Sequence, residues 1–214
     1  MSTGFRIEQA EGPLLLADIG GYTSFLQDVA VAHRDDAFAD GAVPEAYRLM
    51  SRLLDGIVSK VVPPFSLAKL EGDAVFAIAS AADDVPTGEA LLDCLRACHA
   101  DFRARLAEVG EVWTCTCTAC LRANALELKF VLHSGPYVIQ EIAGSREVTG
   151  PEVVMAHRLL KNHAAETLGS GAYALLTDAA VRRLGVPTAG AVPMVETYEH
   201  YPPISAQVFR IAAS

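Results

Sequence analysis

The amino-acid sequence predicts one α/β domain, spanning residues 1–214, in which helices pack on a mixed β-sheet. The chain has 214 residues, of which 51% are hydrophobic, and this is enough apolar material for one core. Short apolar runs typical of strands alternate with longer segments in which apolar residues recur at helical spacing. Two neighbouring runs are joined by a tight turn, so we expect some hairpins and therefore a mixed sheet.

The N-terminal part predicts a central strand, two helices and a hairpin. Residues 14–17 form a continuous apolar run, typical of a buried strand, which leads into a turn at Gly20 and Gly21. The elements expected next are a helix capped by Thr23 or Ser24, a second helix between Pro44 and residue 61, and a hairpin of residues 65–70 and 74–79.

The rest of the chain predicts alternating helices and strands. We expect a long helix over residues 85–109 and then a strand from Leu126 that turns back on itself at Ser134 and Gly135. A helix from Pro151 to residue 168 follows. The closing elements are expected to be strands at residues 172–176, 192–197 and 207–211 and a short helix at residues 178–184.

Composition excludes several classes of protein. The net charge of −9 argues against a nucleic-acid-binding protein, which needs clustered lysine and arginine. No apolar run reaches the roughly 20 residues of a membrane helix, and the polar residues 1–11 do not resemble a signal peptide. Five cysteines, three of them within six residues, do not indicate a secreted disulfide framework. We therefore expect a cytoplasmic protein with reduced thiols.

Two carboxylates follow apolar runs that are expected to be adjacent strands. Asp18 follows the run at residues 14–17, and Asp73 lies at the tip of the predicted hairpin. Carboxylates at the ends of neighbouring strands can hold Mg²⁺, a hard cation that prefers oxygen ligands and leaves positions open for phosphate. The alternative is that both are ordinary turn residues beside glycine.

The second candidate site is a cysteine cluster in the segment at about residues 111–125. Cys115, Cys117 and Cys120 form a C-x-C-x-x-C pattern, which supplies three thiolates for Zn²⁺. The fourth ligand is left open by the sequence, and the candidates are Cys94, Cys98, His99 or a residue of a partner chain. The alternative is that these cysteines pack as small apolar side chains, as expected for Cys98 on the apolar stripe of its helix.

Four sequence blocks resemble class III adenylyl and guanylyl cyclases. Residues 15–26 (LLADIGGYTSFL) resemble the first metal motif of that family, and residues 69–76 (KLEGDAVF) resemble the second. Residues 132–138 (LHSGPYV) look like the strand before the dimerisation arm, and residues 150–159 (GPEVVMAHRL) like the helix that carries transition-state residues. The blocks occur in family order, and the resemblance extends over residues 13–211.

The resemblance implies a fold, a ligand and a set of roles. The fold would be the ferredoxin-like cyclase fold, with a mostly antiparallel sheet. The ligand would be ATP or a related purine nucleotide, bound with Mg²⁺ or Mn²⁺ between the two chains of a homodimer. The implied roles are metal binding by Asp18, by Asp73 and by the carbonyl of Ile19, base reading by Lys69 and Glu147, and transition-state stabilisation by Arg158. A lysine can donate to N1 of adenine, whereas guanine requires an acceptor there.

Departures from the family pattern affect turnover more than binding. Val154 stands where active cyclases usually carry an asparagine, and His200 stands where they carry a lysine for the triphosphate. The cysteine-rich insert and the residues 156–162 resemble an uncharacterised bacterial branch of adenylyl-cyclase-like proteins. Two functions are therefore expected as alternatives: a weak cyclase, or an inactive nucleotide- or metal-binding module with a zinc-stabilised cysteine loop.

Overall fold

A computed structural model describes residues 7–34, 43, 45–113, 115–169 and 171–211. Within these ranges the chain forms eight strands and seven α-helices. The strands are β1 (Ile7–Gly20), β2 (Ser66–Glu71), β3 (Ala74–Ile78), β4 (Glu127–Ile142), β5 (Ser145–Thr149), β6 (Tyr173–Thr177), β7 (Val192–Glu196) and β8 (Ile204–Arg210). The helices are α1 (Tyr22–Ala32), α2 (Glu45–Val61), α3 (Gly88–Val112), α4 (Thr118–Leu121), α5 (Pro151–Arg158), α6 (Ala164–Leu168) and α7 (Asp178–Leu184). Pro44, expected before the second helix, lies outside the described residues.

The strands form one mixed sheet in the order β2-β3-β1-β4-β6-β8-β7, with β5 paired to β4. All neighbouring pairs are antiparallel except β4 and β6, which run parallel. This arrangement confirms the predicted mixed, mostly antiparallel α/β fold. None of the described helices is both long enough and apolar enough to cross a membrane.

The core lies on both faces of the sheet, which explains the continuous apolar run in β1. Leu15 and Ala17 belong to the apolar cluster that includes residues of α1, α2 and α3, whereas Leu14 and Leu16 belong to the cluster that includes residues of α5 and α6. Side chains alternate across a strand, so a strand covered on both faces needs apolar residues at every position. Each fully buried leucine stabilises the fold by about 2–3 kcal/mol.

The predicted turn at Ser134 and Gly135 is wrong, because β4 passes through both residues without a break. They pair with Pro13 and Gly12 on β1. Gly135 is needed for close packing rather than for a turn, since a Cβ atom at this position would lie 2.6 Å from Cγ of Glu152 on α5. Position 135 does require glycine, but the reason is the close approach of Glu152 and not a turn.

Several predicted helix boundaries also need correction. The expected cap by Thr23 or Ser24 is wrong, because Gly21, with a φ of 87°, occupies the N-cap position and no side chain caps α1. The long helix begins at Gly88 rather than at residue 85 and ends at Val112.

The predicted helix over residues 151–168 divides into α5, a 3₁₀ turn at Leu159–Lys161 and α6. Asn162 causes this division, since its side chain donates to the carbonyl of Leu159 and accepts from the amide of Ala164 and the hydroxyl of Tyr173.

A buried histidine fixes α5 against the sheet. His133 of β4 is 5% exposed and lies between Thr177, whose Oγ1 is 2.9 Å from Nδ1, and Glu152, whose Oε2 is 2.5 Å from Nε2. Buried polar side chains are costly unless both of their hydrogen-bonding atoms are satisfied. His133 therefore acts as a structural residue that orients α5.

Candidate functional site

The structure brings the two predicted metal-binding carboxylates into one cavity. Asp18, Ile19 and Asp73 line an open cavity of about 420 Å³. The other lining residues come from the turn at Gly20 and Gly21, from the first part of α1 and from β4, and they are Gly20, Gly21, Tyr22, Thr23, Ser24, Gln27 and Lys129. A concave site with two carboxylates is a chemically suitable site for a divalent cation.

Backbone pairing holds the two carboxylates in this cavity. Asp18 lies inside β1, opposite Ala74 of β3, and β1 extends two residues further to Gly20. The amide of Ile19 donates to the carbonyl of Asp73 at 3.2 Å, which fastens the hairpin turn to the end of β1. Strand pairing and this hydrogen bond therefore fix the turn that carries Asp73 in position beside Asp18.

The cavity concentrates negative charge in partly buried surroundings. Burial, followed by the nearby charge of Asp73, raises the pKa of Asp18 to about 6, and the Lys129 ammonium opposes this shift. Burial also raises the pKa of Asp73, although a backbone hydrogen bond opposes that change. A cation placed between the two carboxylates would favour their ionised forms.

Lys129 is a site residue that sequence analysis missed. It faces Asp18 across the β1–β4 pair, and a Cβ atom on Gly20 would lie 2.7 Å from its Cε. Its ammonium also lies 5.9 Å from the ring centre of Tyr173. Only the register of the β1–β4 pair brings Lys129 to Asp18, and a single segment of sequence does not reveal that register.

The two predicted base-reading residues lie side by side. Lys69 on β2 and Glu147 on β5 form an ion pair of 3.4 Å, and their side chains are 54% and 32% exposed. An exposed ion pair contributes little to stability. Because both side chains are partly exposed, their donors and acceptors remain accessible to a ligand.

Arg158 lines a second cavity, of about 510 Å³, and Lys161 supplies a second positively charged side chain to it. The lining residues are Val153, Val154, His157, Arg158, Lys161 and Tyr198, so none of the described residues lining it is acidic. The Arg158 guanidinium also stacks over the ring of Tyr201, with 5.4 Å between the guanidinium carbon and the ring centre. Arginine and lysine on one concave surface form a suitable site for phosphate oxygens.

The neighbours of Arg158 differ in what they contribute. His157 has a structural role, because both of its ring nitrogens have partners within the protein. Its Nδ1 lies 2.7 Å from the carbonyl of Val153, and its Nε2 lies 2.8 Å from the Glu71 carboxylate. His200, expected in place of the triphosphate lysine, is exposed beside Glu199 and does not line the cavity. Lys161, three residues after Arg158, does line it and was not considered in the sequence analysis.

The three clustered cysteines converge on a histidine from another part of the chain. The ligand atoms of His33, Cys115, Cys117 and Cys120 all lie within 4.8 Å of one another, a group that could hold a metal ion. None of the three fourth ligands expected from this chain joins the group: Cys94 lies near the carbonyl of Lys60, Cys98 is buried in the core, and His99 pairs with Glu127. His33 had no local signal in the sequence, because it follows α1 and lies 82 residues before Cys115.

Comparison with known proteins establishes the family. The family described as "Protein of unknown function (DUF2652)" matches residues 50–167, which is more than half of the chain. The chain belongs to the DUF2652 family. It is also similar to the uncharacterised protein Rv2561/Rv2562 of Mycobacterium tuberculosis (strain ATCC 25618 / H37Rv), with 30% identity over 156 residues that cover 71% of this chain and 72% of that protein.

The DUF2652 chain shares its fold with nucleotidyl cyclase domains. The crystal structure of the adenylyl cyclase CyaB from P. aeruginosa matches it with a TM-score of 0.62 and 13% identity, over 95% of this chain and 96% of that one. The crystal structure of the guanylyl cyclase Cya2 matches with a TM-score of 0.59 and 15% identity, over 94% and 92%. These comparisons confirm the cyclase fold predicted from the four sequence blocks.

The electrostatics of the aspartate cavity predict an effect on stability. Without Mg²⁺, we expect Asp18→Asn to raise the free energy of unfolding of this DUF2652 protein by about 1–2 kcal/mol near pH 8, because it removes a partly buried charge beside Asp73. The pKa of Asp18 is about 6 in the folded state and 3.8 in the reference state. The folded protein therefore binds more protons between these values, and the wild type loses stability as the pH rises through this window.

Urea unfolding of both proteins at about pH 4 and about pH 8 measures this effect. The advantage of the variant should largely disappear at the lower pH, where folded Asp18 is already protonated. Asp84→Asn, at an exposed position outside the cavity, is the control and should change stability little at either pH. An equal gain from Asp18→Asn at both values would contradict the charge explanation.

Proposed function

We propose that this protein binds a purine nucleoside triphosphate, with ATP preferred, together with Mg²⁺ or Mn²⁺ between two copies of the chain. The single observation that carries the proposal is the shared cavity of Asp18 and Asp73. The fold shared with adenylyl and guanylyl cyclases agrees with this ligand class. Each remaining part of the nucleotide has a chemically matching group elsewhere on the chain.

The donor set of the aspartate cavity suits a hard divalent cation. Asp18 and Asp73 would hold it through carboxylate oxygens, and Ile19, which lines the same cavity, would add its backbone carbonyl. When bound, such a cation neutralises triphosphate charge and lowers the pKa of a coordinated hydroxyl. Lys129 already opposes the negative charge of Asp18 and would help to hold phosphate oxygens near it.

The Lys69–Glu147 pair would read the base. The ammonium of Lys69 can donate to N1 of adenine, and the carboxylate of Glu147 can accept from the exocyclic amino group. The ion pair of 3.4 Å holds these two groups next to each other before a ligand arrives. Guanine presents an N1–H donor in place of the acceptor, so this pair favours adenine.

The Arg158 cavity would receive the phosphates. Arg158 and Lys161 line it together with Tyr198. In the cyclase reaction, the 3′-oxygen of the ribose forms a bond with the α-phosphorus, the bond between the α-phosphorus and the bridging oxygen breaks so that pyrophosphate leaves with that oxygen, and the hydroxyl proton passes to water. The positively charged side chains of Arg158 and Lys161 would stabilise the negative charge that collects on the departing pyrophosphate.

Two copies of the chain are needed to complete this site. Lys69, Glu147 and Arg158 do not line the aspartate cavity, and neither aspartate lines the Arg158 cavity. A second copy that faces the first would bring the base-reading pair and Arg158 of one chain to the aspartates of the other. This arrangement is the homodimer that the cyclase resemblance implies.

Val154 should weaken turnover more than binding. It lines the Arg158 cavity, four residues before Arg158 on α5, and the residue is 47% exposed. A valine has no donor or acceptor with which to orient the ribose, and the loss of one positioning donor costs about 10²–10³ in rate in comparable active sites. The second candidate function, nucleotide binding without turnover, rests on this residue.

Loss of either aspartate is expected to weaken metal-dependent nucleotide binding. With Mn²⁺ present, Asp18→Ala and Asp73→Ala should each weaken ATP binding by at least about tenfold, because the cation loses half of its carboxylate ligands. Isothermal titration measures the affinity, and mass spectrometry detects cyclic AMP in the same samples. Asp84→Ala is the control and should bind as the wild type does.

Mixing of variants tests the shared site. Asp18→Ala protein and Arg158→Ala protein should each bind ATP poorly, whereas a mixture should recover part of the binding through heterodimers that keep one intact site. Unchanged affinity in both aspartate variants would contradict the proposed function. Failure of the mixture to recover binding would contradict the dimeric arrangement.

Lys69 is expected to set the preference for adenine. Lys69→Ala should reduce the ratio of ATP affinity to GTP affinity by about tenfold, the equivalent of one charge-assisted hydrogen bond. Competition binding with both nucleotides measures this ratio. Lys60→Ala is the matched control, because Lys60 forms a similar ion pair with Asp101 outside both cavities. An unchanged ratio in Lys69→Ala would remove Lys69 from base reading.

An asparagine at position 154 is expected to raise turnover. Val154→Asn should increase the rate of cyclic AMP formation with Mn²⁺ by about 10-fold to 10²-fold, because it supplies a donor at the ribose position. Val154→Ala, which changes the volume but adds no donor, controls for repacking. A Val154→Asn protein no faster than Val154→Ala would show that Val154 does not limit the reaction.

A further inference from the structure

The cysteine cluster has the geometry of a metal site in which the protein supplies all four ligands. Nε2 of His33 lies 3.5 Å from Sγ of Cys115 and 3.3 Å from Sγ of both Cys117 and Cys120. A disulfide would join one pair of sulfur atoms, whereas here three sulfur atoms surround one nitrogen. This arrangement is typical of four ligands around one metal ion rather than of two thiols that form a disulfide.

The distances agree with a tetrahedron around zinc. With Zn–S bonds of about 2.3 Å and Zn–N bonds of about 2.0–2.1 Å, tetrahedral angles place sulfur and nitrogen about 3.5 Å apart. The observed separations of 3.3–3.5 Å are close to this value. Three thiolates and one imidazole are also soft and borderline ligands of the kind that select zinc over magnesium.

The backbone around the cluster supports the same interpretation. Cys117 is the N-cap of α4, and its Sγ accepts a hydrogen bond from the amide of Cys120 at 3.4 Å. Amide donation to a ligating sulfur stabilises the thiolate that zinc requires. Cys120 is buried, whereas Cys115 and Cys117 are partly exposed, so the site is open enough for an ion to enter.

We propose that His33, Cys115, Cys117 and Cys120 bind one Zn²⁺ as a structural site. All four tetrahedral positions are filled by protein ligands, so no position is left for a substrate. The ion would fasten the end of α1 to the segment that leads into β4, next to the ion pair of Asp28 and Arg122. This proposal does not depend on the proposed function, because no zinc ligand lines either cavity.

The position of the site gives zinc a structural role. His33 immediately follows α1, which begins directly after the Gly20–Gly21 turn of the aspartate cavity. Arg103 of α3 fixes the other side of the junction by donating to the carbonyls of Asn124 and Leu126. Loss of zinc would free the end of α1, and the thermal stability of the protein should fall.

Metal analysis of the full chain, purified without added metal, tests the proposal. We expect about one zinc per chain, and about one again after reconstitution with Zn²⁺. Cys117→Ser and His33→Ala should each weaken zinc binding by at least about tenfold in competition with a chromophoric chelator. Cys94→Ser is the matched control, since Cys94 lies outside the cluster, and it should bind zinc as the wild type does.

A second measurement uses only the wild-type protein, so it does not depend on the folding of variants. Bound zinc should protect Cys115, Cys117 and Cys120 from alkylation, and a strong chelator should expose all three and lower the melting temperature. Cys94 should react at a similar rate in both states.

Three results would overturn the proposal: less than about half a zinc per chain after reconstitution, stoichiometric iron in its place, or equal alkylation of the three cysteines with and without metal. Full zinc affinity in His33→Ala would overturn the assignment of the fourth ligand.

Discussion

The antiparallel pairing of β1 with β4 is the constraint on which the rest of the structure depends. All 14 residues of β1 pair with β4 in one continuous register, from Ile7 opposite Gln140 to Gly20 opposite Glu127. A slip of one residue would move every side chain to the opposite face of the sheet. This register therefore decides both which leucines face each layer of helices and which polar residue lies beside Asp18.

The candidate metal ligands and the candidate phosphate ligands lie in two separate cavities, and neither cavity is electrostatically balanced. One holds Asp18 and Asp73 with a single opposing lysine, and the other holds Arg158 and Lys161 without an acidic residue among the described residues that line it. Asp18 and Asp73 are partly buried, and charges that are poorly balanced in such positions reduce stability and cluster at functional sites. A ligand that carries both a cation and phosphates would balance both cavities.

Much of the fold was predictable because the relevant signals are local. The apolar run before Asp18, the hairpin around Gly72 and the short helix after Thr177 follow from spacing and turn residues alone. The predictions failed where one residue type serves two purposes. Glycine at position 135 indicated a turn, but it permits close packing of Glu152 inside a continuous strand. A single sequence cannot separate these two uses, because both require the absence of a side chain.

The sequence by itself determined the residue types at the candidate sites and their local order: two aspartates close to glycines, a C-x-C-x-x-C cluster, and a helix that carries Arg158. Only the tertiary structure decided which distant partners complete them. It brought Lys129 to Asp18 through strand register, and His33 to the cysteines across a separation of more than 80 residues. Local patterns fix the conformation of a segment. The partners of that segment depend on how all the strands pair in the sheet and on which faces of the sheet the helices cover.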